Sequence, residues 1–434
     1  MKHSELPTGG INRPAPSLGE ATSVWAKIGV LSFGGPAAQI ALMHREVVEK
    51  RNWLSEQDFL NALSFCMLLP GPEAMQLATY AGWRLHGTRG GLIAGLLFVL
   101  PGAAVVLALA AIYAVFGDVP LVSALFLGVK AAVIIVVIEA LMRVSKRALQ
   151  GREHWIIAGL TFIGIFFLAL PYPLIVAMAA AYGYLRGAAT ETPDAPPPIH
   201  RPLSKTLSTI TLWLAIWWVP LFVVMALAQD TLLPVIGIFF SKLAVVTFGG
   251  AYAVLAYMGQ DVVSHFGWLS AGEMMDGLGL AETTPGPLIL VTEFVGFLAA
   301  FREAGLWMGL AGAAVTLWAT FAPCFLWIFA SAPYIDWITA QPRLKGALAA
   351  ITAAVVGVIL NLSIWFALHV FFAEVTLERL GPLHLWTPQL TSIDGRVILL
   401  AVLSAYLLLR RHWGISWVLV LSSLTGVGLV QLFG

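Results

Sequence analysis

The sequence predicts an all-α integral membrane protein of about 13 transmembrane or re-entrant helices, arranged as two inverted-topology repeats. Three observations predict it. First, 59% of the 434 residues are hydrophobic and only 11% are charged, whereas an ordinary soluble domain carries about 25% charged residues. No soluble core of this length encloses so much apolar surface. Second, the stretches 92–116, 155–185, 206–229, 304–335, 346–373 and 413–434 contain no Asp, Glu, Lys or Arg. Each is long enough to cross a bilayer, which takes about 20 residues. Third, the chain repeats itself at an offset of 215 residues. Phe33-Gly34-Gly35 returns as Phe248-Gly249-Gly250, Trp53-Leu54-Ser55 as Trp268-Leu269-Ser270, and Pro70-Gly71-Pro72 as Pro285-Gly286-Pro287. Ordered triplets at one offset mark an internal duplication.

The composition excludes several function classes. A net charge of +1 provides no basic field for nucleic acid. Cys66 and Cys324 lie far apart in apolar runs, and the nine histidines form no HxH or HxxxH pair, so no metal site is expected. There is no Walker A loop and no GxSxG elbow, so neither ATP hydrolysis, serine-hydrolase chemistry nor a cofactor is indicated.

Taken in order, segment 1–24 is polar and lacks the apolar core of a cleavable signal peptide. The first repeat, 25–186, opens with two apolar segments, 24–43 and 59–83, interrupted by Phe33-Gly34-Gly35-Pro36 and Pro70-Gly71-Pro72. Spans follow at 92–116 and at 121–142, the latter carrying Lys130. Stretch 155–185 makes two short spans, because Pro171 and Pro173 cannot continue a helix. A linker over 187–206 holds Pro196-Pro197-Pro198. The helix over 207–231 belongs to neither repeat. The second repeat, 232–434, has the same two broken segments and then spans at 304–335, 346–373, 397–409 and 413–434. Lysine and arginine in loops set orientation. Arg84 and Arg89, then Arg143, Lys146, Arg147 and Arg152, then Arg186, Arg201 and Lys205, then Arg410 and Arg411 mark the inner side. The N-terminus is then inside and the C-terminus outside, with the extra helix supplying the inverting crossing. Loop 44–58, with Arg45, Lys50 and Arg51, is inside if 24–43 and 59–83 are re-entrant, and outside if they span.

Glycine- and proline-broken helices in repeated halves point to the binding site of a secondary transporter. A break exposes backbone N–H groups and a positive helix end, for which an oxyanion is a natural partner. Glycine lets backbone approach a ligand, and proline suits the start of the next half-helix. The candidates for substrate binding are therefore Phe33, Gly34, Gly35, Pro36, Pro70, Gly71 and Pro72, with Phe248, Gly249, Gly250, Pro285, Gly286 and Pro287. Intramembrane charge adds Lys130 and Lys242, although an ion pair for Lys130 looks the same in sequence. Lys27 sits near a helix end and is expected to reach the interface. Glu73, Glu282 and Glu293 flank the Pro-Gly-Pro motifs and are candidates for proton coupling. Glu139 and Arg143 read as an ordinary i,i+4 pair, His369 as a packed or interfacial histidine, and most tryptophans as interfacial anchors. A membrane enzyme would need a nucleophile–base pair or metal cluster, and none is evident.

The run FGGPAAQIALMHREVVEKRNWLSEQDFLNALSFCMLLPGPEAMQLATYAGWRLHG (33–87), with FGGAYAVLAYMGQDVV, WLS and TTPGP in the second half, closely resembles the chromate ion transporter family in its two-domain form. The resemblance covers about residues 20–430. It implies a multi-pass carrier of the bacterial inner membrane that exports chromate and confers resistance, with coupling to the proton motive force. A sulfate or other tetrahedral oxyanion carrier, including one for uptake, is the alternative, since such dianions present the same acceptors. The implied partners are chromate or a related oxyanion and the lipid bilayer, with no nucleic acid. Ala251 stands where Pro36 does, and Leu288 where Glu73 does, so two equivalent half-sites are not expected.

Overall fold

The computed structural model describes residues 16–117, 119–187, 203–248 and 250–433. Most of the linker, with Pro196-Pro197-Pro198 and Arg201, and Gly249 lie outside the described residues. The first repeat runs through α1 (Leu18–Leu31), α2 (Gly35–His44), α3 (Glu56–Cys66), α4 (Glu73–Phe116), α5 (Pro120–Ala148), α6 (Arg152–Phe166) and α7 (Tyr172–Gly187). Helix α8 (Leu203–Leu227) follows. The second repeat comprises α9 (Leu233–Val246), α10 (Ala251–Gln260), α11 (Ala271–Thr283), α12 (Val291–Ala304), α13 (Leu306–Ser331), α14 (Ile335–Ala340), α15 (Pro342–Phe371), α16 (Gly395–Ala405) and α17 (Ile415–Phe433). Among the described residues, six helices are long and apolar enough to cross a membrane. The chain is a multi-pass membrane protein.

The repeated Trp-Leu-Ser triplets are helix starts. The Ser55 hydroxyl accepts the Asp58 N–H at 3.0 Å, and the Ser270 hydroxyl accepts the Glu273 N–H at 3.2 Å. Glu273 returns the bond by accepting the Ser270 N–H at 2.7 Å, a reciprocal cap that satisfies two otherwise orphaned donors. The preceding Trp53 and Leu54, and Trp268 and Leu269, are buried beneath these turns.

The four motif-bearing segments fold back on themselves. Lys27 Nζ lies 3.1 Å from Glu46 Oε1, although a continuous helix would separate residues nineteen apart by about 28 Å. The Phe65 and Tyr80 rings are 6.2 Å apart, Lys242 Nζ is 6.0 Å from the Tyr257 ring, and Arg302 donates to the Trp268 carbonyl at 2.5 Å. Each contact joins the two limbs of a fold-back: α1 with the turn that continues α2, α3 with the start of α4, α9 with α10, and the segment just before α11 with α12. The Phe-Gly-Gly and Pro-Gly-Pro motifs are the hairpin tips. Helix α4 reverses again at His86–Gly87, where Gly87 has φ 60°, so closely that a methyl on Gly82 would sit 2.3 Å from the Gly90 carbonyl oxygen. Gly305, with φ 77°, makes the corresponding reversal between α12 and α13.

The remaining helices interlock the repeats. Helix α5 packs against α16 and α17, and α15 packs reciprocally against α6 and α7. Small residues permit the approach. A methyl on Gly128 would clash with Ser422, and one on Gly183 with Gly346. Gly91 and Gly95 receive Phe329 and Phe325 of α13, so that glycine face packs within the chain.

The all-α architecture carries one small addition: strands β1 (Val375–Leu380) and β2 (Leu383–Pro388) pair antiparallel between α15 and α16. Val375-Thr376-Leu377-Glu378 alternates with period two, and Gly381, with φ 62°, allows the tight turn. Several tryptophans are core residues rather than interfacial anchors. Trp25, Trp217 and Trp365 are 1–3% exposed, and the Trp217 indole donates to the Ser241 hydroxyl at 3.3 Å.

Candidate functional site

The hairpin tips meet across the repeats. Ser32 closes α1 and Thr247 closes α9. The Gly71 N–H donates to the Thr247 carbonyl at 2.8 Å, and the Gly286 N–H donates to the Ser32 carbonyl at 2.9 Å. Each Pro-Gly-Pro tip is thus pinned to the Phe-Gly-Gly tip of the other repeat. Gly71 (φ 118°) and Gly286 (φ 90°) need glycine's freedom to aim these amides. The buried Gln39 amide nitrogen reinforces one junction, donating to Ser32 at 3.2 Å and to the Gly286 carbonyl at 2.6 Å. Gln76 donates to the Pro70 carbonyl at 2.7 Å. Pro70, Pro72, Pro285 and Pro287 build these turns, and the two glycine amides are spent on the junctions.

The starts of α2 and α10 also present backbone amides. Gly34 and Gly35, with φ of 85° and 77°, deliver the chain to Pro36 at the start of α2, and Gly250, with φ 95°, starts α10. Neither helix start has a side-chain cap. Both open on a cavity of about 180 Å³ whose lining includes Pro36, Ala37, Gly71, Glu73, Gly250 and Tyr252. That volume is about six times a water's share of the liquid, enough for a five-atom oxyanion.

Arg143 and Arg147 also line this cavity, from the last turns of α5. Arg143 donates to Glu139 at 2.6 Å. Arg147 reaches the Met67 sulfur at 3.1 Å, and among the described residues it makes no ion pair within 4 Å. Glu73, at the start of α4, stands against the opposite repeat: a methyl on Gly250 would lie 3.6 Å from its Oε1. Tyr252 continues inward, donating at 2.6 Å to Oε1 of Glu282, which is 2% exposed. Among the described residues, Glu282 Oε2 has no partner. The cavity therefore has two arginines, two uncapped helix starts, one carboxyl at its wall and one behind a tyrosine. This set suits a small dianion together with a proton-carrying group.

Not every predicted residue reaches this cavity. Lys130 lies about 20 Å along α5 from Arg143 by helical rise. It stands 3.4 Å from Oδ2 of the buried Asp276, which also accepts the Tyr113 hydroxyl at 2.8 Å. Lys242 lines a different cavity. Glu293 is fully buried, and among the described residues neither of its oxygens has a partner. The Phe33 side chain is 44% exposed, while Phe248 packs against the core.

Arg143, Arg147, Tyr252 and Asp276 are the residues that sequence reasoning passed over as site components. The arginines stand four apart at the end of an apolar helix, which puts both on one face, and that spacing was the available signal. Tyr252 occupies the position of Ala37 one repeat earlier. Asp276 had no motif around it.

A family model described as "Chromate transporter" matches residues 20–184 and again 235–427. A chromate transport protein of Pseudomonas aeruginosa is 32% identical over 380 residues, covering 85% of this chain and 84% of its own. A probable chromate transport protein of Synechococcus elongatus is 31% identical, covering 80% and 84%. A chromate transport protein of Cupriavidus metallidurans is 31% identical, covering 80% and 82%. No solved structure matches.

Proposed function

The chain belongs to the chromate transporter family, and from that premise we propose that it carries chromate outward across the bacterial inner membrane and confers chromate resistance. One observation supports this most: uncapped helix starts from both repeats converge with Arg143 and Arg147 on one cavity of oxyanion size. Arginine and oriented amides recognise a tetrahedral dianion through several charge-assisted bonds at once.

The fold-back of the hairpins supports an inverted topology. With the hairpins re-entrant, the first repeat crosses by the second limb of α4, then α5, α6 and α7, and the second by α13, α15, α16 and α17. Helix α8 adds the odd crossing. The N-terminus is then cytoplasmic and the C-terminus periplasmic. The loops with Arg45, Lys50 and Arg51, with Arg84 and Arg89, with Arg143–Arg152 and with Arg410 and Arg411 all fall inside, as the charge rule requires. The cavity, lined by the cytoplasmic end of α5, loads from inside. Rocking one repeat against the other would move the bound anion past the joined tips.

Proton coupling runs through Glu282, because Tyr252 connects it to the cavity wall. Glu73 and Glu293 are the other candidates, since a buried carboxyl without an ionic partner is costly to keep charged. The test is chromate accumulation in everted vesicles, energised and de-energised, with and without excess sulfate. Energy-dependent accumulation that resists sulfate and is lost in Arg147→Gln is expected. Accumulation abolished by sulfate would instead mark a sulfate-type carrier.

A further inference from the structure

A second cavity, of about 450 Å³, is lined by α9, by α10 and the turn after it, and by residues 165–172 and 377–386. Its walls carry four basic side chains, Lys242, His265, Arg379 and His384, against one carboxyl, Asp261. Among the described residues, neither Lys242 nor Arg379 makes an ion pair within 4 Å, and Lys242 faces the Tyr257 ring. Tyr172, only 3% exposed, also lines the cavity, with its hydroxyl beside the Phe248 backbone. Tyr172 stacks on Tyr257 with ring centroids 5.2 Å apart.

The β-hairpin forms one wall. Cross-strand pairing sets Arg379 directly opposite His384. The hairpin is held in place by the His384 N–H, which donates to the Phe167 carbonyl at 2.8 Å, and by Trp386, packed against Trp365 and His369. No equivalent hairpin joins α5 to α6, so only the second repeat has this wall.

We propose that this cavity is a second oxyanion site, an outer station for a tetrahedral dianion, in which Lys242, Arg379 and His384 supply the charge and the Tyr172 hydroxyl a further donor. Four basic side chains against one carboxyl give this cavity an excess of positive charge, and several such groups together with a hydroxyl donor recognise an oxyanion through charge-assisted bonds. With the inverted topology above, the station faces the periplasm and receives the anion leaving the central cavity. That placement rests on the function proposed above, while the anion site itself rests on the cavity.

The test uses the full chain in right-side-out vesicles with Leu377→Cys, at a partly exposed position lining this cavity. The native cysteines are buried. Chromate, and separately sulfate, should slow labelling of Cys by a membrane-impermeant thiol reagent added outside. Adding Arg379→Gln or Lys242→Gln should raise the half-protecting concentration about tenfold, as expected for one lost charge-assisted contact. Arg379 lies on the exposed hairpin, so Arg379→Gln carries the test alone if Lys242→Gln is not recovered. Lys242→Arg should keep protection. No protection by either anion, or protection indifferent to both charges, overturns the outer station. Arg147→Gln separates the readings: transport lost with protection retained supports both sites, whereas transport unchanged with protection retained keeps the station and sinks the central cavity.

Discussion

At the base of the first hairpin, Glu46 takes ion pairs from Lys27 at 3.1 Å, Lys50 at 2.7 Å and Arg51 at 2.5 Å. At the same place 215 residues on, Asp261 has Lys242 and His265 nearby but, among the described residues, no ion pair within 4 Å. The cavity shows the same imbalance in other residues. Glu73, Arg143 and Arg147 correspond to Leu288, Val358 and Leu362, while Ala37 corresponds to Tyr252. Duplication kept the backbone devices, namely tip glycines, serine caps and crossed amide bonds. It let the charges diverge. The first repeat became a clamped, charged wall, and the second supplies the tyrosine–carboxyl pair and the open outer cavity. Under the function proposed above, the central cavity then holds its anion off the axis between the repeats rather than in two symmetric positions.

The largest expected effect comes from making the first repeat resemble the second. Arg147→Leu installs the residue found at the corresponding position. Loss of one charge-assisted contact should lower kcat/KM for chromate about tenfold or more, measured in everted vesicles with the protein still present in the membrane. Leu362→Ala should leave the half-saturating concentration unchanged. Equal effects on that concentration would mean the two walls are alike after all.

Next come the tip glycines. Gly250→Ala and Gly35→Ala both force a methyl-bearing residue into the left-handed region, at about 1–2 kcal/mol. Only at Gly250 does the methyl meet Glu73, at 3.6 Å, whereas nothing lies within 4 Å at Gly35. Thermal unfolding should report similar losses for both, and transport should fall further for Gly250→Ala. Transport equal in the two variants would remove Glu73 from the junction.

Tyr252→Phe removes the hydroxyl bonded to Glu282 and so breaks the path from cavity to carboxyl. A severalfold drop in energy-dependent uptake, with counterflow exchange retained, is expected, since exchange needs the anion site but not the proton path. Loss of both activities together would place Tyr252 in anion binding alone.

The hairpin tips were legible in sequence because each depends on a residue type with few substitutes. Left-handed turns at Gly34, Gly71, Gly250 and Gly286 need glycine, and the helix starts at Ser55 and Ser270 need a short capping oxygen. That the segments fold back was not legible, because the apolar pattern of a hairpin limb matches that of a spanning helix. Arg143 and Arg147 were hidden by their second role: in sequence they are indistinguishable from charges that orient a loop. Lys130 was conspicuous for being alone in an apolar run, yet its partner Asp276 comes from the other repeat, 146 residues away. The β-hairpin was missed because the mixed polar and apolar stretch 374–396 between two spans reads as a connection.

The smallest effect returns to the hairpin bases, where pH should act with opposite sign. Burial alone would raise the Glu46 carboxyl, but Lys50, Arg51 and Lys27 outweigh it and hold it at about 2, below the ordinary 4.5. Glu46 therefore contributes stability that is fully present above about pH 5 and is lost as pH falls through 2. At Asp261 burial outweighs the Tyr257 hydrogen bond and the charges of His265 and Lys242, so its carboxyl titrates above the ordinary 3.8. Its contribution is unfavourable and grows as pH rises past that value. In detergent at neutral pH, Glu46→Gln should lower Tm by an amount equivalent to about 1–3 kcal/mol, and the difference from the unmodified chain should shrink toward pH 3. Asp261→Asn should raise Tm slightly at neutral pH and leave it unchanged near pH 3. Two variants that both destabilise at neutral pH would show that Asp261 is clamped as Glu46 is, and the contrast between the hairpin bases would fail.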